Sequence, residues 1–263
     1  MKQGLRFTIP LLFGLMSPGL WAGECVILLH GLARTSDSME LLAETLGAEG
    51  YHVANIDYPS REKPIEALAQ IAVEAGLADC RDAAASPVNF VTHSLGGILV
   101  RQYYSLHPTE NLKRVVMLGP PNNGSEVVDN LKDVPGYELI NGPAGMQLGT
   151  DDGSLPKTLG PVNFALGVIA GTSSINLILS TFLPDPDDGK VSLESTKVEG
   201  MCSFIALPTS HPFMMKNEQV IEEVIHFLRQ GRFTSPEAQS GDCSFPAEPG
   251  YHTPIPFKAP ASG

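Results

Sequence analysis

Asn89-Phe90-Val91-Thr92-His93-Ser94-Leu95-Gly96-Gly97 is the stretch on which the fold turns. Val88 to Thr92 is a short apolar run suited to a buried strand, and the residues after Ser94 read as the start of a helix. A serine between such a strand and such a helix has the form of a nucleophile elbow: the tight turn holds it in strained backbone geometry and exposes its hydroxyl at the carboxyl edge of a sheet. Gly96 then lets strand and helix approach closely. Thr92 stands where the pattern G-x-S-x-G has its first glycine, so a β-branched residue must fit where bare backbone is usual. The plainer alternative is a serine that only caps a helix.

Upstream, Cys25 to Leu29 is a continuous apolar run ending in His30-Gly31-Leu32, as expected of a buried parallel strand and its turn. Asp37, with Glu40 three residues later, suits the cap of a helix carrying Met39, Leu42 and Leu46 on one face. Tyr51 to Ile56 reads as a strand. Pro64 suits a first helical position, and Ile65, Leu68, Ala69 and Ala72 continue a helix to about Leu77. Downstream, strands are expected over Lys113 to Leu118, Phe164 to Ala170 and Cys202 to Leu207, and a helix over Glu218 to Arg229. This alternation predicts an α/β fold with a mostly parallel sheet and helices on both faces. One domain over 23–232 is expected, with 124–161, rich in Gly, Pro, Asn and Asp, as a small lid-like insertion. Residues 233–263 read as an irregular C-terminal extension.

The same layout sorts the other polar residues. His211 follows the strand Cys202 to Leu207 through Pro208-Thr209-Ser210, so it belongs at the carboxyl edge with Ser94 and is the candidate base. His226 lies within the last helix and His52 at a strand start; His93 reads as packing, and His30 as a brace for its loop. In Asp185-Pro186-Asp187-Asp188-Gly189-Lys190, Asp188 is the candidate orienting acid and Asp187 its rival. Ser94, Asp188 and His211 stand in the chain order of a serine, acid and histidine triad, and the amides of Leu32 and Leu95 are placed to bind a developing oxyanion.

Composition sets the wider limits. The 263 residues are 43% hydrophobic and 17% charged, enough for a sizeable core, with a formal net charge of −12 and no basic patch that could track phosphates. Nucleic acid is therefore not an expected partner. Lys2 and Arg6, the apolar run Phe7 to Met16, Ser17-Pro18-Gly19 and Leu20-Trp21-Ala22 follow the order of a signal peptide over 1–22, which implies export to the periplasm or outside. Four cysteines in an oxidising compartment suggest two disulfides. Cys25 opens a strand and Cys80 follows a helix that returns to the same sheet edge, so these two are expected to pair, leaving Cys202 for Cys243. Neither metal-ligand spacing nor a calcium loop is present, so no metal or other cofactor is expected.

Leu28 to Thr35, Val91 to Gly97, Pro120-Pro121-Asn122-Asn123-Gly124-Ser125-Glu126 and Asp187 to Val191 together resemble the esterase and lipase branch of the α/β-hydrolase superfamily. The resemblance implies the α/β-hydrolase fold, a Ser94, Asp188, His211 triad and an oxyanion hole at Leu32 and Leu95. It also implies a cap after the P-N-x-G-S motif and hydrolysis of carboxylic esters, lipid-like or acyl. A monomer meeting its ester substrate with at most transient contact to a lipid interface is expected. A thioesterase, amidase or acyltransferase would use the same residues, and a hydrolase-fold binding protein would use none of them.

Overall fold

Strands covered on both faces bury nearly every residue, and Cys25–Leu29 (β1) and Val88–His93 (β3) are buried throughout. In this computed structural model, which describes residues 23–234 and 238–240, they lie at the heart of a sheet. The other strands are His52–Ile56 (β2), Leu112–Leu118 (β4), Leu166–Gly171 (β5), Ser203–Leu207 (β6) and Gln239–Ser240 (β7). Their spatial order is β2-β1-β3-β4-β5-β6-β7. The first six are parallel, and β7 runs antiparallel to β6.

The helices are Glu40–Ala48 (α1), Ile65–Asp82 (α2), Leu95–Tyr104 (α3), Glu126–Leu131 (α4), Tyr137–Met146 (α5), Leu155–Thr158 (α6), Leu177–Ser180 (α7) and Glu218–Gln230 (α8). Alternation along each strand splits the core in two. Ile27, Leu29 and Phe90 face α2 and α3, where Leu68, Val73 and Ile98 join them. Val26, Leu28 and Val91 face the opposite layer, with Leu42 of α1 and Val224 and Phe227 of α8. Each fully buried aliphatic or aromatic side chain of this kind contributes about 1.5–3 kcal/mol. Among the described residues no helix is long and apolar enough to cross a membrane.

Several expectations shift in detail. Pro64 stands just before α2, and that helix runs past Leu77 to Asp82, so Cys80 lies inside its last turn. The Cys25–Cys80 disulfide is formed, with Cα atoms 5.7 Å apart. Cys243, the expected partner of Cys202, lies outside the described residues, as does the leader over 1–22. Asp37 and Glu40 do not make a cap: a 3-10 turn over Ser36–Met39 precedes α1, and neither start has a side-chain cap. Asp57 competes for this segment, because its Oδ1 accepts the Ser36 amide at 3.1 Å.

The described residues just after 232 pack on the domain. Phe233 is buried against Phe227, Glu223 accepts the Thr234 amide at 2.8 Å, and β7 pairs with β6, whose open edge offers unpaired backbone groups. The stretch 124–161 folds as α4, α5 and α6 between β4 and β5. Gly142, at φ +66° and ψ −176°, breaks α5, and a Cβ there would meet the Arg61 carbonyl at 1.9 Å. Arg101 of α3 pins the far end of this insertion: its guanidinium donates to the carbonyls of Pro156 at 3.0 Å and Gly160 at 2.8 Å. Burial pulls its pKa down to about 10.

Candidate active site

β3 ends at His93, and Ser94 turns the chain into α3 with φ +52° and ψ −119°, a conformation that costs an L residue about 1–3 kcal/mol. The turn persists because its surroundings fix it. The Ser94 amide donates to the Leu118 carbonyl at 2.9 Å, and its own carbonyl accepts from Gly97 at 3.0 Å. The Ser94 side chain makes no cap on the helix. A Cβ on Gly96 would sit 2.6 Å from the Leu29 carbonyl oxygen, so only glycine lets α3 come this close to β1. Thr92 needs no special conformation: it is a fully buried residue of β3, paired between Leu29 and Met117.

The loop after β1 is braced from the next crossover. His30 Nδ1–H donates to the Gly31 carbonyl at 2.9 Å, so Nε2 carries the lone pair and receives the Tyr58 amide at 3.3 Å. The Tyr58 hydroxyl donates to the His30 carbonyl, and the two rings stack with centroids 4.0 Å apart. Burial lowers the His30 pKa, against an opposing pull from Asp57, whose Oδ1 lies 3.4 Å from Nε2. Ser60 Oγ accepts the Ala33 amide at 3.1 Å. Among the described residues, the Leu32 amide between these anchors donates to no acceptor. Leu95 opens α3, where first-turn amides lack intrahelical acceptors.

Across the cleft, Asp188 is buried and both its oxygens are used. Oδ1 accepts the Lys190 and Val191 amides, each at 2.9 Å, and Oδ2 lies 2.7 Å from His211 Nδ1. The His211 amide also donates to the Asp188 carbonyl at 3.0 Å, so acid and imidazole are tied through backbone and side chain together. Asp187 points elsewhere, accepting from Ser180 Oγ at 2.9 Å and the Gly189 amide at 2.6 Å. Ser94, Asp188 and His211 line one cavity of about 190 Å3, with Leu32 and apolar residues including Val127, Val128 and Leu148. His52 and His226 bond to Asp79 and to the Arg232 carbonyl, away from it.

Three residues packed beside the candidate triad have positions that the sequence did not reveal. His93 does more than pack: its Nε2–H donates to the His211 carbonyl at 3.0 Å and its ring lies 4.7 Å from that of His211. Its Nδ1 is buried without a partner, and burial, with His211 beside it, holds its pKa well below the usual value. Gly119 and Gly171 clear space for the acid. A Cβ on Gly119 would be 2.9 Å from Asp188 Oδ2 and 3.1 Å from His211 Nδ1, and one on Gly171 would be 2.8 Å from Asp188 Cβ. Their only sequence signal is glycine at the carboxyl end of a strand. Among the described residues no cluster of His, Cys, Asp or Glu has the form of a metal site.

Comparison with known proteins agrees with this architecture. The mature form of lipase BlEst2 from Bacillus licheniformis superposes with a TM-score of 0.58 at 19% identity, over 80% of this chain and 92% of that one. Phospholipase PlaB from Legionella pneumophila gives 0.56 at 18% identity, over 66% of this chain and 45% of that one. Lipase B of Aspergillus fumigatus gives 0.59 at 14% identity, over 90% and 57%. At these identities the likeness is one of fold. No curated protein sequence matches the chain. The family model for alpha/beta hydrolases matches residues 26–223, from β1 into α8, and the chain belongs to the alpha/beta hydrolase family.

Proposed function

We propose that the protein is an exported serine hydrolase that cleaves carboxylic esters, lipid-like or acyl, through an acyl-enzyme on Ser94. The observation that carries this reading is the bond of 2.7 Å between Asp188 and His211 in the cavity that Ser94 also lines. With Nδ1–H directed at the carboxylate, His211 Nε2 holds the free lone pair. It takes the Ser94 proton as Oγ attacks the ester carbonyl carbon, and the amides of Leu32 and Leu95 receive the oxyanion. His211 then protonates the departing alcohol, and water repeats the two steps to release the acid. The strained turn at Ser94 and the Cys25–Cys80 disulfide support nucleophilic chemistry and an oxidising compartment respectively.

Matched ester, thioester and amide substrates of one short acyl group test the reaction class. The ester is expected to turn over fastest, with a burst of released alcohol equal to the enzyme when deacylation is slower. A thioester or amide preferred over the ester would replace this reading by one of its relatives, and no turnover of any of the three would end it.

A further inference from the structure

The chain as a whole is strongly acidic, yet the wall around the candidate nucleophile is not. Arg34 and Lys190 both line the cavity that holds Ser94 and His211. Among the described residues neither makes an ion pair or a side-chain hydrogen bond. The sole carboxylate in that lining is Asp188, and its two oxygens are already committed to His211 and to the amides of Lys190 and Val191. Asp37, Asp57 and Glu62 belong to a separate open groove of about 1120 Å3, which meets the cavity at Arg34, Ile175 and Pro212. Arg34 therefore stands at the mouth and Lys190 at the acid's own turn. Both side chains are largely exposed, and an anion placed between them would be attracted by both charges.

We propose that Arg34 and Lys190 form an anion subsite, so that the ester cleaved at Ser94 carries a negatively charged oxyacid group, a carboxylate or a phosphate, within a few bonds of the scissile carbonyl. This rests on the hydrolase reading and narrows its substrate class. The small cavity volume fits a short acyl chain ending in, or lying next to, the charge. Elsewhere the surface would repel such a substrate, so the preference must be local, and it must weaken with salt.

The experiment compares the 4-nitrophenyl hemi-ester of glutaric acid, which is anionic, with the neutral pentanoate ester, and measures binding of butyl phosphate and of pentanoate ion by calorimetry. All are run on the full protein, on Arg34→Gln, on Lys190→Gln and on the double variant. At about 0.01 M salt the hemi-ester is expected to exceed the neutral ester in kcat/KM by roughly tenfold or more, and this ratio should shrink at about 0.15 M. It should drop to one or below in the double variant. A neutral ester preferred by the intact protein, or an anionic preference that survives in the double variant, overturns the subsite. The hydrolase reading fails separately: if neither ester turns over but butyl phosphate or pentanoate binds and the double variant loses it, the anion site stands without the reaction. If neither anion binds and no preference exists, the subsite falls. The two anions, compared at equal concentration, tell phosphate from carboxylate.

Discussion

Under the proposed mechanism, Gly119→Ala should disable the Asp188 and His211 pair without replacing either residue. Gly119 follows β4 with φ +54°, and an L side chain in this left-handed region costs about 1–2 kcal/mol. Its new Cβ would also lie 2.9 Å from Asp188 Oδ2, 3.0 Å from Met214 Sδ and 3.1 Å from His211 Nδ1, against ordinary contacts of 3.4 Å or more. Met214 can yield, but Asp188 is fixed by two amides, so the carboxylate and imidazole must separate by roughly half an ångström. Overpacking of this kind costs about 1–3 kcal/mol. The total, about 2–5 kcal/mol, corresponds to a fall in Tm of about 5–15 °C for a domain of this size. Loss of alignment at the base should lower kcat by about 10- to 100-fold in the protein that remains folded. Gly50→Ala is the control, since Gly50 has φ +91° with nothing within 4 Å of the added Cβ. It carries the backbone penalty alone. Urea unfolding and ester kinetics on both variants decide the point: if Gly119→Ala loses no more kcat than Gly50→Ala, the clearance argument is wrong.

Asp188→Asn should lower ester turnover by about 10³- to 10⁴-fold with little change in KM, because the amide no longer holds the reactive tautomer of His211. Asp187→Asn, which disturbs only Ser180 and Gly189, should be mild, and the reverse ranking would move the acid to Asp187. Reduction or Cys25→Ser should cost about 4 kcal/mol in urea unfolding for a loop spanning 55 residues, and leave kcat intact, since Cys25 opens β1 at the edge opposite Ser94. The buried His30 and His93 have folded pKa values below 6.5 while the unfolded chain takes up protons near 6.5. Below that pH the unfolded state binds more protons, so stability must fall as pH drops from 6.5, by at most about 1.4 kcal/mol per pH unit for each histidine. His93→Gln should flatten that slope by about half in pH-dependent unfolding; an unchanged slope would contradict a neutral buried His93.

What could be read from the sequence was what depends on local pattern. β1 announces itself as an unbroken apolar run because helices cover both its faces, and α8 because Val220, Val224, Phe227 and Leu228 recur on one side. The placing of Ser94 between strand and helix, and of Asp188 and His211 past strand ends, was legible. The insertion was not resolved into helices because Gly142 and Pro143 interrupt α5, and its stability comes from tertiary anchors such as Arg101. The two-residue β7 is too short for any period and exists because β6 offers an edge. The roles of Gly119 and Gly171 are matters of clearance between segments far apart in the chain. His93 is similar: its bond to the His211 carbonyl spans 118 residues, and no spacing rule could reveal it.

The proposed mechanism stands or falls on Ser94 as a nucleophile activated by His211. Incubation with a small neutral fluorophosphonate, followed by intact-mass and peptide mapping, tests it directly. One adduct per chain is expected, located on Ser94 and formed together with loss of ester turnover. No adduct is expected in Ser94→Ala, and labelling should slow by several orders of magnitude in His211→Ala, with both variants folded. Full ester turnover by Ser94→Ala, or an adduct on another serine while Ser94 stays unmodified, would contradict it.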